Sequence, residues 1–444
     1  MKSKLISIAA LLLLSTTVAM ADEPDTLKNK FSIGLNYLSH GEDCSGGLPS
    51  SKTEVVEDYS NFVMGRFRMT VGYERDWLEM RGVIQNSAVW GMAGNMSLGL
   101  YEGWVKIKGA WGGFAQIGRV ALAYDDERII GPNDFAMAAL SHDVLLLGYE
   151  GYGHKLHAIL AYNQDADNVY ANTYYVNGAK AYKNMQTVWY HYDVPKFPLG
   201  ASLLFMNVGM QAGVQGDAKN PPHNEYQQLF GGYIKFAPEI LTLEGAYYRQ
   251  CGNDVNATSM HSIPIDAWMA SVKATVKPSK YFGFNAGYDH LSGDDYVPVP
   301  RPGTLGLPLH SVDKSFTPLY GSRTKFYGMM DYFYESAYIN GFSPGLQNAF
   351  AGVYGYPLKD LTCSATYHYL AVATDLTGLE RTLGHSIELE ASYAFTDYLA
   401  LSVGYTQMAG TKTMARLKQT DESEYLRWAW FSLVITPTMF STKF

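Results

Sequence analysis

Five basic side chains recur at alternating positions of three successive segments, and their shared chemistry is anion binding. Residues 62–74 read FVMGRFRMTVGYE, which places Arg66 and Arg68 two positions apart. Arg81 follows in the next segment, and Lys106 and Lys108 in the one after that. Side chains two apart in an extended chain share a face, so three neighbouring strands would gather all five on one wall. Basic groups along the wall of a water-filled path favour anions. Arginine also grips a carboxylate through two parallel hydrogen bonds, which suits small organic acids or acidic sugars. Arg119 lies just beyond, on a fifth segment, where a bulge at Gly118 is needed to turn both Arg119 and Gln116 inward. An equally weighted reading pairs these charges with Glu74, Glu79 and Glu102, so that they only satisfy a polar interior.

A second basic group lies in the stretch 292–344, which carries Arg301, His310, Lys314, Arg323 and Lys325 among many aromatics. Folded into a lumen, it would form a constriction with Arg323, Lys325, Tyr327 and Asp331 at hand. The alternative is a surface loop that packs on itself. Reaction motifs are missing: there is no P-loop, no G-x-S-x-G elbow and no H-E-x-x-H. His142-Asp143 and His385-Ser386 are adjacent pairs, and neighbours in a strand face opposite sides. Asp125-Asp126-Glu127 reads as a solvated hairpin tip, with a divalent-cation site as the lesser alternative. Neither a cofactor nor a metal is expected. Cys44, Cys251 and Cys363 lack metal-ligand spacing. Cys363 alternates with Leu361 and Ala365 as a wall residue, while Cys44 and Cys251 fall in expected loops on one side, where a disulfide is permitted.

The elements that must position these residues are transmembrane β-strands. In 62–74, Phe67, Met69, Val71 and Tyr73 oppose Arg66, Arg68, Thr70 and Glu74. Windows 77–89, 98–108 and 267–277 repeat the pattern, with aliphatic or aromatic residues on one face and charges on the other. That is the signature of a wall between lipid and water. Very short breaks, such as Arg75-Asp76, Tyr152-Gly153 and Thr396-Asp397, alternate with long polar ones near 41–60, 123–141, 165–181 and 292–344. Such alternation predicts short periplasmic turns and long extracellular loops around about eighteen strands, with both termini periplasmic. The strand-like run 323–333 is assigned to the long loop, because counting it would break parity. A barrel of that size encloses a water-filled lumen unless something plugs it.

Ahead of the barrel, residues 1–21 read as a signal peptide. Lys2 and Lys4 precede the apolar run Leu5–Leu14 and the small-residue site Ala19-Met20-Ala21, leaving 22–444 as the exported chain. Mean hydropathy is only −0.12 although 47% of residues are hydrophobic, as expected of strands that alternate apolar and polar. The net charge of −8 argues against nucleic-acid binding. Trp428, Trp430 and Phe431 mark the last strand, and Phe444 supplies the terminal aromatic of an exported barrel.

Several segments resemble the alginate-export-type porins, in the branch common in Bacteroidetes. They include GRVALAYDDERIIGP (118–132), HDVLLLGYE (142–150), FTPLYGSRTKFYGMMDYF (316–333) and LGHSIELEASYAFTDYLALSVGY (383–405). The resemblance implies an eighteen-strand outer-membrane barrel whose Arg- and Lys-rich lumen conducts an anionic polyuronate. Its matching positions would be Arg81, Lys106 and Arg119, with Arg66 and Arg68 beside them. Glu244, Glu388 and Glu390 also face the expected lumen and offset its positive field.

The resulting expectation is a passive channel of the Gram-negative outer membrane for small hydrophilic solutes, preferring anions or acidic sugars, and not an enzyme. The rival is a non-conducting barrel that serves as a subunit or scaffold of an envelope or secretion assembly. Expected partners are outer-membrane lipid, lipopolysaccharide and small polar or anionic solutes, with the barrel a monomer or a homotrimer.

Overall fold

A computed structural model describes residues 29–45, 59–91, 97–164, 182–213, 216–255, 262–294, 312–330, 343–418 and 425–444. The expected signal peptide, Arg301, His310 and Asp331 lie outside them. In chain order the strands are β1 Lys30–Ser45, β2 Tyr59–Arg75, β3 Leu78–Val89, β4 Ser97–Lys108, β5 Gly113–Val120 and β6 His142–Gly151. Next come β7 His154–Tyr162, β8 Tyr182–Asp193, β9 Leu199–Ala212, β10 His223–Phe236, β11 Leu241–Val255, β12 Ser262–Val276 and β13 Phe282–Leu291. The last are β14 Leu346–Leu358, β15 Leu361–Ala371, β16 Thr382–Thr396, β17 Leu399–Gly410, β18 Tyr425–Ile435 and the short β19 Thr438–Lys443, with helix α1 Lys412–Lys418 before β18.

Each strand from β1 to β17 pairs antiparallel with the next, and β1 closes the ring by pairing with both β2 and β18. Closure leaves no edge with bare N–H and C=O groups, the condition for crossing lipid with strands. Pro437 has no N–H to offer the ladder. The chain steps there, and β19 resumes along the first residues of β1, Lys30↔Lys443 to Gly34↔Thr438. The fold is therefore an eighteen-strand closed barrel with one short additional strand.

Local chemistry explains the turns. Between β6 and β7 only Tyr152 and Gly153 intervene, both left-handed at φ 53° and 83°, as the two-residue turn that matches strand twist requires. Short turns and long loops alternate around the whole ring as the sequence pattern predicts. Outward positions such as Phe67, Ile84, Leu203, Phe205 and Val272 are exposed to the lipid side, whereas Arg66, Arg68, Gln85 and Thr187 point inward and are buried.

The interior departs from a simple polar lumen. On β9, inward Leu204, Met206 and Val208 are as apolar as outward Leu203 and Phe205, and they are fully buried. They pack with Leu122, Ile129, Ile130, Ile159 and Met185 in one cluster. Ile159 and Met185 belong to the neighbouring walls of β7 and β8, whereas Leu122, Ile129 and Ile130 come from the segment 121–141, which joins β5 to β6 and folds into the barrel. It touches β2 through Asp134, β8 through Asp125, and β12 and β13 through Arg128. A segment that reaches walls so far apart around the ring crosses the lumen. Asp125-Asp126-Glu127 thus belongs to an inward-folded loop and not to a solvated hairpin tip. Residues 312–330, from the connection between β13 and β14, fold in against it: Ile130 bridges Tyr320, and Tyr320 and Ser322 donate backbone hydrogen bonds to the carbonyls of Ile129 and Glu127.

The cysteine reading also changes. Cys44 lies on β1 and Cys251 on β11, at strand ends rather than in loops, and both thiols are free.

Candidate functional site

Strands β2, β3 and β4 lie side by side and carry Arg66, Arg68, Arg81, Lys106 and Lys108, most of whose charges are already engaged. Arg66 and Arg68 project inward from β2 with 3% and 9% of their side chains exposed. They hold Asp134 of the inward loop: Arg68 Nη1 donates to Asp134 Oδ1 at 2.6 Å, and Arg66 Nη1 donates to the Asp134 and Ala136 carbonyls at 2.8 and 3.1 Å. Arg68 Nε donates to Gln85 Oε1 at 2.7 Å, and its guanidinium lies 3.7 Å from the Tyr101 ring centroid. Gln85 continues the clasp by donating to the carbonyls of Met137 and Ala138.

Arg81 pairs with Glu102 at 2.9 Å across β3 and β4, and Lys108 pairs with Glu79. Lys106 instead sits 3.8 Å above the Phe114 ring. Arg119 is a correction. The β4–β5 and β5–β6 ladders run through Gly118 without a shift, so Arg119 shares the outer face with Ile117. There it forms a two-point pair with Asp143, at 2.9 and 2.6 Å. Gly118 is left-handed at φ 129° and meets the Gly103 carbonyl closely, but no bulge turns its neighbour inward.

The second predicted group lies where the two inward segments meet. Lys325 pairs with Glu127 at 2.6 Å, and the Arg323 N–H donates to Asn133 Oδ1 at 3.1 Å. Tyr327 is buried, and its hydroxyl accepts from Arg128 Nη1 at 3.0 Å. Sequence reasoning passed over Arg128 itself. Its guanidinium also reaches Asp126, Asp289 and Ser271, at 3.1, 3.0 and 3.0 Å. Asp289 in turn accepts from Asn348, which bonds His368, and Glu388 accepts the Met329 N–H. The available signal was the apolar inner face of β6 and β9, since strands apolar on both faces are covered on both.

Two cavities remain beside this plug. One, of about 590 Å³, is lined by Tyr124, Asp125, His157, Trp189, His191 and Tyr233, among others. Its aromatic floor is continuous: Tyr124 and Trp189 centroids are 4.8 Å apart, and His191 stacks on Trp189 at 5.5 Å. Burial raises the Asp125 carboxyl above its usual range, while hydrogen bonds from Ser202 and Trp189 pull the other way. The second cavity, of about 560 Å³, is lined by Glu244, Lys273, Asn285, Thr366, Glu390 and neighbours. Aromatic faces beside amides, hydroxyls and carboxylates can seat sugar-sized polar solutes by stacking and hydrogen bonding. Among the described residues, no three His, Cys, Asp or Glu side chains are placed to hold a metal ion.

No family model and no curated protein matches this chain. Similar solved structures include Pseudomonas aeruginosa OccK11 (OpdR), at TM-score 0.58 and 12% identity over 93% of this chain and 96% of that one. Another is P. aeruginosa OccK2 (OpdF) in complex with glucuronate, at TM-score 0.58 and 12% identity, with 92% and 98% covered. A third is Acinetobacter baumannii OccAB1, at TM-score 0.59 and 12% identity, with 93% and 97% covered. At such identities the likeness is one of fold. It overturns the resemblance to alginate-export-type porins, because the barrels that superpose over 93% of the chain are of the Occ and Opd kind. Shared architecture and an apolar outer belt place this barrel in the Gram-negative outer membrane, with the fold of a porin.

Proposed function

We propose that the protein is a passive channel for small hydrophilic solutes, narrowed to the size of single sugars or organic acids by its two inward-folded segments. One observation carries the reading: the segments meet across the lumen through Arg128 and Lys325 and leave polar, aromatic-lined space beside them rather than a solid fill. A scaffold barrel has no need of a polar, aromatic-lined interior. A solute path does.

Within that reading, a preference for anions or acidic sugars is the finer claim. Lys106 supports it, because its ammonium rests on an aromatic ring and not on a carboxylate. Arg81 supports it too, being half exposed despite its pair. Glucuronate in the OccK2 structure is in keeping with such a cargo. Lys108, bound to Glu79, contributes less, and Arg119 has no part in the lumen. Arg66, Arg68, Arg323, Lys325 and Tyr327 act through the plug they hold, by setting the width of the path.

Liposome swelling with solutes of graded size and charge tests this. Monosaccharides and hexuronates are expected to enter and tetrasaccharides to be excluded, with the hexuronate faster than the neutral hexose. No swelling with any solute, from a barrel shown to be folded, would favour the scaffold reading.

A further inference from the structure

Two guanidinium groups converge on one carboxylate in the interior, and the count does not balance. Arg66 and Arg68 are both at least nine-tenths buried, and the carboxylate recorded against them among the described residues is that of Asp134. Buried charge that lacks a full set of partners is costly. The shortfall is visible atom by atom, because among the described residues Arg66 Nε and Arg68 Nη2 are buried donors without an acceptor. Asn36 Oδ1, at the facing position of β1, is a buried acceptor without a donor among the same residues. Asp134 holds its place loosely by comparison. Its side chain is 53% exposed, and only one of its oxygens makes a short contact, since Arg66 Nη2 stands 3.5 Å from the other.

We propose that Arg66 and Arg68 form a binding site for a small hydroxycarboxylate solute, kept self-occupied by Asp134, and that the solute exchanges with Asp134 and frees the inward loop. The chemistry fits each open atom. A carboxylate with two oxygens accepts from both guanidinium forks better than the oblique Asp134 does, and a neighbouring hydroxyl donates to Asn36 Oδ1. The arm around Asp134 is ready to leave once released, while Arg128, Ile129 and Ile130 keep the rest of the loop docked. Ala139 in that arm is left-handed, at φ 51°, a conformation that persists only where surrounding contacts enforce it. Asp134 is thus an internal substitute for cargo, and displacement of one carboxylate by another couples solute arrival to widening of the path. The proposal rests on the channel reading only in that the solute arrives through the lumen.

The test is hydrogen exchange across residues 121–141 of the full chain in detergent micelles, titrated with sodium glucuronate. Glucose and sodium chloride at matched ionic strength serve as controls. Glucuronate is expected to speed exchange of the loop saturably, by about tenfold, as local opening removes protection; the controls should leave it unchanged. Asp134→Asn should exchange fast without solute and gain nothing from glucuronate, and Arg68→Lys, which keeps the charge and loses the fork, should blunt the response. An unmoved wild-type loop, an equal response to chloride, or a D134N loop as protected as wild type would each overturn the proposal. Conductance recorded in parallel separates the two claims: a loop that responds in a barrel that never conducts refutes the channel and leaves the site standing.

Discussion

Arg128 and Asp289 meet at 3.0 Å inside the barrel, one on a loop and the other on β13, with side-chain exposures of 7% and 3%. The pair ties the inward segment to the wall, while Tyr327 and Phe326 close over the guanidinium from the second segment. The barrel is built by its strands, but the width of its path is set by contacts of this kind.

Arg128→Met should therefore loosen the plug without unfolding the barrel. Removing one partner of a buried pair strands the other and costs about 3–5 kcal/mol, here charged against docking of the loop. The expected result is a larger and noisier single-channel conductance, with normal heat-modifiable migration on gels. Unchanged conductance would mean that the loop does not set the width.

Ion selectivity separates Lys106 from Arg119. Lys106→Gln should move the reversal potential in a salt gradient towards cation preference, because the charge removed rests on the Phe114 ring and has no carboxylate partner among the described residues. Arg119→Gln should leave the potential unchanged, since Arg119 and its partner Asp143 lie on the outer face.

Lipid contact is tested at Phe205, an outward residue in the middle of β9 that is 45% exposed. Phe205→Arg should destabilise the folded barrel by roughly 2–4 kcal/mol, the cost of arginine near the bilayer midplane. Denaturant unfolding from liposomes measures it, and a neutral result would place this face away from the acyl chains.

Gly118 answers to backbone geometry alone. A Cβ there would lie 2.1 Å from the Gly103 carbonyl oxygen on β4, in a left-handed conformation that L side chains avoid. Gly118→Val should block pairing of β4 with β5, seen as loss of the folded band on gels.

The wall of the barrel was legible because its physics is local. Phe67 beside Arg68, and Tyr152-Gly153 between two strands, report a two-sided surface and a tight turn without reference to anything distant. The inward fold of 121–141 was not legible, because its contacts are long in sequence: Asp134 reaches Arg66 from 68 residues away, and Arg128 reaches Tyr327 from 199. No spacing rule links such positions, and Asp125-Asp126-Glu127 read alone looks like any solvated turn. Partial evidence stood in β9, where Leu204, Met206 and Val208 face inward between lipid-facing Leu203 and Phe205. An interior of leucine and methionine has to be covered by something. Arg119 was misplaced for a smaller reason, since a glycine permits a bulge without requiring one.

The most direct test of the central claim, an eighteen-strand barrel whose path is narrowed and not sealed by its own inward segments, is single-channel recording of the purified wild-type protein in planar bilayers. Discrete steps are predicted, well below those of an unobstructed barrel of this size and rising in the Arg128→Met variant. A folded protein that gives no steps in either form, or wild-type steps as large as those of an open barrel, would contradict it.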